Sequence, residues 1–459
     1  MNFDLRDLIK RRQGENIVLH TEHINPQFAK VLQTIGFDRV YTRAEGQYLY
    51  DQEGREYLDF LSGYGVFNVG RNHPVVARAL ADFLEAGQPS LVQMDAPLLS
   101  GLLSEELKKL VPPELDTVFF TNSGTEGVEA AIKFARCATS RPRILYCDHA
   151  FHGLTNGALS LNGGTWFREG FEPLLAGCDA IPMNDLEALG SELVKGDVGA
   201  FVLEPIQGKG VYIAQDDYLL AARDLCRQHG TLFVLDEVQT GLGRTGTFFA
   251  REHSGVVPDI LVVAKGLSGG FVPAGAVLFQ RAIYDKVFTS MERCVVHSST
   301  FGQGAFAMAA GLATLSVLKS EKIVENAARM GELLLEGLRD LQARYELIRE
   351  VRGRGLMIGV EFGRPKSFKL KVGWDLAHRV NDSLFGQAIV IPLLTDHAVL
   401  AQVAGHGIDV IKLLPPLIIS ESDVHRFLEA FENVVRRSHH FPGPIWEVTS
   451  RLARFALKR

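Results

Sequence analysis

Short apolar runs alternate with amphipathic stretches of helical length through the middle of this 459-residue chain. The apolar runs with the pattern of buried strands are Thr117–Phe120, Ala200–Leu203, Thr231–Leu235 and Ile260–Val263. Helix-length segments separate them, for example Gly127–Ala138 and Tyr218–Gln228. Alternation of this kind predicts parallel strands covered by helices. We therefore predict a large, mostly parallel α/β domain over residues 70–320.

The two ends of the chain have a different pattern. Short strand-like pieces precede the α/β region, and a long helix, predicted over Lys322–Tyr345, follows it together with a pair of strands. Ser420 with Asp423 three residues later is a capping-box pattern, which predicts the start of a helix. Because the chain is longer than one core usually serves, we predict that residues 1–69 and 321–436 together form a small α+β domain.

Composition excludes several classes of function. Hydrophobic residues make up 46% and charged residues 22% of the chain, and the net charge of −6 gives no reason to expect a nucleic-acid partner. The 5 cysteines lack Cys-x-x-Cys spacing, which predicts buried free thiols and neither a disulfide framework nor a metal site. No apolar stretch reaches the ~18 residues of a membrane span, and no signal peptide is recognisable. We therefore expect a cytoplasmic location.

Two charged residues end consecutive apolar strands of the predicted sheet. Asp236 follows Thr231–Leu235, and Lys265 follows Ile260–Ala264, a spacing that fits one strand–helix–strand crossover. Ligands of open α/β sheets bind at the carboxyl ends of strands. There a carboxylate can hold the protonated ring nitrogen of pyridoxal 5′-phosphate (PLP), and burial favours the neutral amine that forms a Schiff base. Alone, Asp236 also fits a helix cap and Lys265 a surface residue; as a pair they favour PLP chemistry.

Two further segments could complete such a site. Thr121–Glu126 contains a Ser-Gly-Thr turn before a predicted helix, where backbone N–H groups and hydroxyls can bind a phosphate. An ordinary helix N-cap is the alternative interpretation. Phe151 precedes His152 and Gly153 after another apolar run, and its ring could stack on a pyridine face. A simple core position for Phe151 fits equally well.

Seven motifs in order along the chain resemble the class III, or ω-amino-acid type, aminotransferases. The motifs are Asn122–Glu126, Phe151–Gly153, Glu204–Gly208, Leu235–Gly241, Gly243–Gly246, Ala264–Leu267 and Ser299–Gly302. Each motif alone is weak, but together they are specific, and the resemblance extends from about residue 38 to 436. It implies a PLP-dependent transferase of fold type I, an aminotransferase activity, and a homodimer with active sites at the subunit interface.

The resemblance also implies roles for individual residues. Lys265 would form the Schiff base and shuttle the proton between the substrate carbon and the cofactor, and Asp236 would pair with the ring nitrogen. Glu204 would be structural. The other implied cofactor contacts are Ser123, Gly124 and Thr125 at the phosphate, Phe151 and Val238 on the ring faces, His152 beside them, Gln239 at the phenolic oxygen, and Thr300 at the phosphate of the other subunit.

Two positions depart from the pattern of many relatives. Lys209 stands where they have a Glu, and Lys412 stands where they have an Arg that holds the α-carboxylate of glutamate or 2-oxoglutarate. Two lysines cannot neutralise one another as that Glu and Arg do, and a lysine lacks the bidentate fork of arginine. The usual mode of binding 2-oxoglutarate is therefore not expected, although two cations could still hold an acid. A Lys209 that points to solvent is the alternative.

Two segments bear on the substrate. Ser62–Gly70, with Tyr64 and Phe67, is similar to putrescine-type aminotransferases and would give the pocket an apolar, aromatic face. Residues 437–459 form a basic, amphipathic C-terminal extension that could lie on an anionic membrane, or dock on its own subunit. This combination resembles aminotransferases that tailor hopanoid lipids. We therefore predict amino transfer between an amino-acid donor and a terminal aldehyde or amine. The alternatives are a diamine aminotransferase, another PLP reaction, and a non-catalytic binding protein.

Overall fold

The computed structural model describes residues 3–92, 94–380 and 384–439. Its strands are β1 (Tyr41–Glu45), β2 (Tyr48–Asp51), β3 (Glu56–Asp59), β4 (Thr117–Thr121), β5 (Arg143–Cys147), β6 (Cys178–Ile181), β7 (Val198–Leu203), β8 (Leu232–Asp236), β9 (Ile260–Val263), β10 (Gly275–Phe279), β11 (Ile348–Arg354), β12 (Met357–Phe362), β13 (Val399–Leu400), β14 (Gln402–Val403) and β15 (Val410–Leu413). Its α-helices are α1 (Leu5–Arg12), α2 (Asn16–His23), α3 (Pro26–Ile35), α4 (Ser62–Gly65), α5 (Pro74–Glu85), α6 (Leu98–Lys108), α7 (Gly124–Thr139), α8 (Asn156–Leu159), α9 (Thr165–Arg168), α10 (Leu186–Leu193), α11 (Asp216–Gln228), α12 (Arg251–Ser254), α13 (Arg281–Val287), α14 (Ala305–Ser320), α15 (Ile323–Arg344), α16 (Phe368–Val380), α17 (Leu384–Thr395) and α18 (Glu421–Ser438).

A seven-stranded sheet in the order β4-β10-β9-β8-β7-β5-β6 lies at the centre of the molecule. The pairs β5–β6, β5–β7, β7–β8 and β8–β9 are parallel, and β10 runs antiparallel to both of its neighbours. The predicted mostly parallel α/β fold is confirmed. Asp236 is paired with Val262, so the carboxyl ends of β8 and β9 lie side by side.

Apolar residues at helical spacing attach α7 to this sheet. Val128, Ile132 and Phe134 are buried, and the ring of Phe134 stacks on Phe279 of β10 with 4.7 Å between centroids. Burying a side chain of this size stabilises the folded chain by roughly 1.5–3 kcal/mol. This packing fixes the start of α7 next to the carboxyl ends of the strands.

Two smaller sheets are built from the ends of the chain. One has the order β1-β2-β3-β13, in which β13 runs parallel to β3, and the other has the order β11-β12-β15-β14. The capping box at Ser420 and Asp423 opens α18 as predicted. The ring of Phe427 on α18 stacks on Phe60, which follows β3, with 4.2 Å between centroids. Both ends of the chain therefore share one apolar core, while the predicted domain boundaries stay a prediction.

Three findings refine the sequence-based expectations. α7 begins at Gly124 and not at Gly127, because Ser123 serves as its N-cap. All 5 cysteines are free thiols; Cys147 and Cys226 are buried as predicted, Cys178 is half-buried, and the prediction was wrong for the exposed Cys137 and Cys294. Within the described ranges, no helix is long and apolar enough to cross a membrane and no residue cluster could hold a metal ion. The predicted C-terminal extension lies outside the described residues beyond position 439.

Candidate active site

Asp236 is held at the end of β8 by two donors. Its side chain is buried; one oxygen lies 2.7 Å from Nδ1 of His152, and the other accepts the Val238 N–H at 3.0 Å. Burial opposes protonation of His152, but the hydrogen bond and charge of Asp236 outweigh it and raise the pKa of the imidazole. The contact with His152 also fixes the orientation of the Asp236 carboxylate, as a partner for a cationic ring nitrogen requires.

Lys265 stands at the end of the neighbouring strand. It follows β9 and Ala264 and adopts a left-handed backbone conformation (φ 46°). The backbone next to it is tightly packed, because a Cβ on Gly266 would lie 2.7 Å from the amide nitrogen of Asn68. Burial lowers the pKa of the Lys265 ammonium, while Asp236 and Glu204 oppose that shift. The lowered pKa favours the neutral amine, which is the nucleophilic form.

The turn between β4 and α7 forms a cradle at a helix N-terminus. Ser123 accepts the Glu126 N–H through its side chain at 3.3 Å, which leaves its hydroxyl hydrogen available to a ligand. Gly124 lies directly on Val238, since a Cβ at Gly124 would approach the methyl carbons of Val238 to 2.8 Å. The first N–H groups of a helix have no intrahelical partner and attract anions.

A second loop closes over this cradle. The Thr125 hydroxyl lies 2.7 Å from that of Thr155 and accepts the Thr155 N–H at 3.2 Å. Gly153 has φ 130°, and a Cβ there would lie 2.3 Å from the Thr125 hydroxyl oxygen. Only a glycine allows the loop to approach Thr125 so closely.

Glu204 joins the loop of Phe151 to the turn that follows β7. Its two oxygens accept the Phe151 N–H at 3.0 Å and the Gly208 N–H at 2.7 Å. Burial raises the pKa of this carboxyl. The contacts are consistent with the structural role that was expected for Glu204. Lys209 follows Gly208 in this turn, and its ammonium lies 5.0 Å from the ring centre of Phe151.

Gln239 and Lys412 meet on the other side of the site. The Gln239 amide nitrogen donates to the Tyr64 carbonyl at 3.0 Å. Nζ of Lys412 donates to the Gly208 carbonyl at 2.6 Å and lies 3.3 Å from the Gln239 amide oxygen. Tyr64 contacts Gln239 through its backbone, and its side chain is exposed. The expectation that its ring faces the pocket therefore finds no support among these contacts.

Thr300 follows a residue that contacts the turn between β4 and α7. It is exposed, and its neighbour Ser299 accepts a hydrogen bond from the Asn122 side chain at 2.7 Å. Among the described residues, no hydrogen bond connects Thr300 with Asp236 or Lys265 of the same chain. Its implied role at a neighbouring subunit stays a prediction.

Sequence reasoning missed Arg244 and Asn68, which hold the loops of the site together. The Arg244 guanidinium is fully buried and donates to the Asn68 amide oxygen at 2.8 Å and to the Leu356 carbonyl at 3.1 Å. The Asn68 side chain also donates to the Leu242 carbonyl at 2.8 Å. Burial lowers the pKa of Arg244 to about 9. The glycines on both sides of Arg244, in the pattern Gly-x-Gly-Arg-Thr-Gly, indicated that this arginine is closely packed. A sequence pattern does not show which groups accept its hydrogen bonds.

A carboxylate and a lysine at the ends of adjacent parallel strands, facing a helix N-terminus, define a PLP-dependent enzyme of fold type I. The comparisons agree, because the family profile of class-III aminotransferases matches residues 32–435. The chain belongs to this family. It is therefore an enzyme, and the alternative of a non-catalytic binding protein is set aside.

Two curated relatives and one solved structure illustrate the similarity. The chain is 36% identical over 445 residues to aminotransferase PigE of Serratia sp., covering 90% of this chain but only 52% of that protein, so it spans about half the length of this relative. It is 39% identical to a putrescine aminotransferase of Pectobacterium atrosepticum, covering 91% of this chain and 87% of the relative. An ornithine aminotransferase of Toxoplasma gondii with PLP at partial occupancy superposes with a TM-score of 0.82 at 27% identity, covering 95% and 98% of the two chains.

The residues of the site fit PLP, the cofactor of this family. At the start of α7, N–H groups without an intrahelical partner and the hydroxyl of Ser123 provide donors for a phosphate, and a Cβ at Gly124 or Gly153 would crowd this cradle. The carboxylate of Asp236 and the amine of Lys265 lie at the ends of neighbouring strands. PLP carries its ring nitrogen and its aldehyde on one flat ring, so the two protein groups that meet them must lie near one another. When bound, PLP supplies the electron sink for the reaction.

Proposed function

We propose that this aminotransferase moves an amino group between an amino-acid donor and a terminal aldehyde or amine on a bulky, largely apolar molecule. The side chain of a hopanoid lipid is one substrate of this kind. Lys265 would bind the cofactor and carry the proton, and Asp236 with His152 behind it would hold the ring nitrogen. Ser123, Gly124 and Thr125 would bind the phosphate, and Phe151 and Val238 would enclose the ring.

The observation that carries the substrate class is a row of aromatic rings, here called the aromatic wall, made of Phe151, Phe167, Trp166 and His406. The ring centroids of Phe151 and Phe167 are 5.3 Å apart, and those of Phe167 and Trp166 are 4.7 Å apart. His406 stacks on Trp166 at 5.0 Å, and the Trp166 side chain is 57% exposed. The wall therefore leads from the proposed ring site to the surface, and supports an extended apolar substrate.

The charges beside the aromatic wall support the same class. Lys209 occupies the position of the Glu in many relatives, and its ammonium lies over Phe151 at 5.0 Å and over Phe167 at 4.8 Å. Burial lowers the pKa of Lys209. Within the described ranges, Lys209 forms neither a salt bridge nor a hydrogen bond. Because Lys209 and Lys412 stand in place of the Glu and the Arg, the switch in which that Glu neutralises that Arg cannot form.

A screen of amino donors and acceptors with purified holoenzyme tests the proposal. Long-chain aldehydes should be turned over with higher kcat/KM than short ones. Trp166→Ala should lower kcat/KM for the long substrates by about tenfold, because one apolar contact contributes about 1–3 kcal/mol. The kcat/KM for a short aldehyde should change little. Phe368→Ala, which removes an 81% exposed aromatic ring elsewhere, is the matched control. Equal preference for short and long aldehydes in the wild-type enzyme would contradict the proposal.

A diamine aminotransferase is the second candidate, and the putrescine aminotransferase relative favours it. In this alternative the aromatic wall would hold the methylene chain of a diamine. The same screen separates the two, because putrescine would then be turned over far better than any lipid aldehyde.

We further propose that the enzyme is a cytoplasmic homodimer in which Thr300 completes the phosphate site of the other subunit. Segment 437–459 would bring it to the inner face of the membrane. The basic residues of that segment support the proposal, since each such residue near an anionic surface contributes about 1 kcal/mol.

A further inference from the structure

Lys412 directs its ammonium into the protein. Only 4% of the residue is exposed, and Nζ contacts the Gly208 carbonyl at 2.6 Å and the Gln239 amide oxygen at 3.3 Å. Both partners are neutral, and in the described part of the chain no carboxylate forms a salt bridge with Lys412. A residue that binds a substrate carboxylate should present its donors to open space, whereas Lys412 presents them to its own backbone and to one side chain.

The contacts with Tyr64 and Lys412 together fix which way the Gln239 amide faces. The Tyr64 carbonyl can only accept, so the amide nitrogen must face Tyr64 at 3.0 Å, and the amide oxygen then faces Lys412 and accepts from Nζ. That nitrogen carries two hydrogens, and one remains for a further acceptor. Without Lys412 the amide oxygen would lose its donor, and only the Tyr64 contact would oppose a rotation that presents this oxygen to a phenolic oxygen anion.

The other contact of Lys412 extends to the opposite side of the site. Its acceptor, Gly208, donates its own N–H to Glu204 at 2.7 Å, and Glu204 accepts the Phe151 N–H at 3.0 Å. One side chain thus connects the amide of Gln239 with the loop that carries Phe151.

We propose that Lys412 is a positioning residue, which holds the Gln239 amide with its nitrogen toward the phenolic oxygen of PLP, and that it is not a contact for a substrate carboxylate. The role differs from that of the arginine in many relatives. It rests on the proposed contact of Gln239 with the cofactor, and it does not depend on which amine is the substrate. Burial and the nearby Lys265 hold the pKa of Lys412 well below its ordinary value, and a neutral amine still has two hydrogens for its two acceptors.

The test is a pH titration of the absorption of bound PLP, without substrate, in Lys412→Met. The phenolic oxygen is most negative after the lysine–cofactor linkage has lost its proton. A hydrogen-bond donor to that oxygen therefore stabilises the deprotonated form and lowers the pH at the midpoint of the titration. Loss of the donor should raise the midpoint by about one pH unit. The KM for 2-oxo acids should stay within about twofold of the wild-type value. Lys195→Met, which removes an exposed lysine distant in sequence and bonded to Glu192, controls for the loss of one charge.

Two further variants keep the proposal falsifiable if Lys412→Met does not fold. Gln239→Leu should raise the midpoint as Lys412→Met does, and the double variant should show no additional shift, because both changes remove one interaction. Lys412→Arg should restore the wild-type midpoint, since a guanidinium can donate to both acceptors. An unchanged midpoint in Lys412→Met or Gln239→Leu overturns the proposal, as does an approximately tenfold rise in KM for 2-oxo acids with a normal spectrum. Failure of the substrate proposal would appear only in the amine screen.

Discussion

At the scale of single residues, the site depends on charges kept in a buried environment by specific partners. Asp236 receives one hydrogen bond from His152 and one from the Val238 N–H. Lys265, one strand away, has its ammonium form disfavoured by burial. The carboxylate is therefore held in place by two donors, and the neutral amine that PLP chemistry requires is favoured at Lys265.

Asp236→Asn tests the electrostatic role of this carboxylate. An amide cannot stabilise a protonated ring nitrogen, so the variant should retain much of its PLP but lose activity by about 100-fold or more. Absorbance of bound cofactor and single-turnover rates would be measured together. Near-normal turnover would show that Asp236 is not the partner of the ring nitrogen.

Lys265 should be the residue that reacts with the cofactor. Purified protein should be yellow, and borohydride reduction followed by peptide mapping should label Lys265, because its lowered pKa and its position at the end of β9 favour the Schiff base. A label on Lys209 or Lys412, the two other lysines of the site, would contradict the assignment.

The raised pKa of His152 predicts a pH dependence of stability. Because the pKa in the folded chain lies above the ordinary value of 6.5, the stabilisation from protonated His152 is fully present below pH 6.5 and is lost as the pH rises through the raised value. His152→Gln should cost about 3 kcal/mol at pH 6. The free energy of unfolding of the apoenzyme would be measured in urea for the variant and the wild type. The difference between the two values should shrink toward pH 9. A difference that grows with pH would show that the imidazole is neutral.

At the scale of elements, the site is assembled where β8, β9 and the start of α7 converge. Two parallel strands bring Asp236 and Lys265 to one edge of the sheet, and the contact between Gly124 and Val238 sets the distance between that edge and the helix. The helix and the strands approach closely there, and only a glycine at position 124 leaves room for the side chain of Val238.

Gly124→Ala should therefore weaken PLP binding. The added methyl would lie 2.8 Å from the methyl carbons of Val238, and relief of such overpacking costs about 1–3 kcal/mol, or about 5- to 150-fold in Kd. Gly190→Ala on α10 is the matched control, because its nearest neighbour would be Leu225 at 3.6 Å, an ordinary contact. Equal cofactor affinity in both variants would show that α7 can shift without consequence.

At the scale of the whole molecule, several apolar residues of the segment that carries Thr300 are exposed. Met291, Val295 and Phe301 expose 87%, 65% and 63% of their surface. A large exposed apolar surface usually marks an interface. It supports the proposed homodimer, in which a second copy covers this surface and places Thr300 near a phosphate.

Phe301→Arg should disrupt that dimer and with it the binding of PLP. A buried charge without a partner costs several kcal/mol at an interface, so the variant should sediment as a monomer and bind PLP at least about tenfold more weakly. Analytical ultracentrifugation and cofactor titration measure the two effects. A monomer with full affinity for PLP would disprove the shared site.

Truncation after Pro444 tests the proposed membrane contact. Activity on a short, soluble aldehyde should be largely retained, while binding to anionic liposomes and activity on a lipid-borne aldehyde should fall, because most of the basic, amphipathic extension is removed. If the truncated enzyme unfolds or loses PLP, the segment has a structural role and the membrane proposal is wrong.

The sequence by itself determined the fold class, the family and the residues at the centre of the proposed chemistry, since local signals carry these. Apolar periodicity located β4, β7, β8 and β9 within one or two residues, and ordered motifs identified Asp236 and Lys265. Only the tertiary structure decided the partners: that His152 stands behind Asp236, that Arg244 joins Asn68 to Leu356, and that Lys412 faces Gln239 and not open space. These contacts join residues up to 176 positions apart, and no local pattern encodes them, because they arise when separate loops are packed against one another. The antiparallel β10 escaped prediction for the same reason, since strand order is set by packing over the whole sheet.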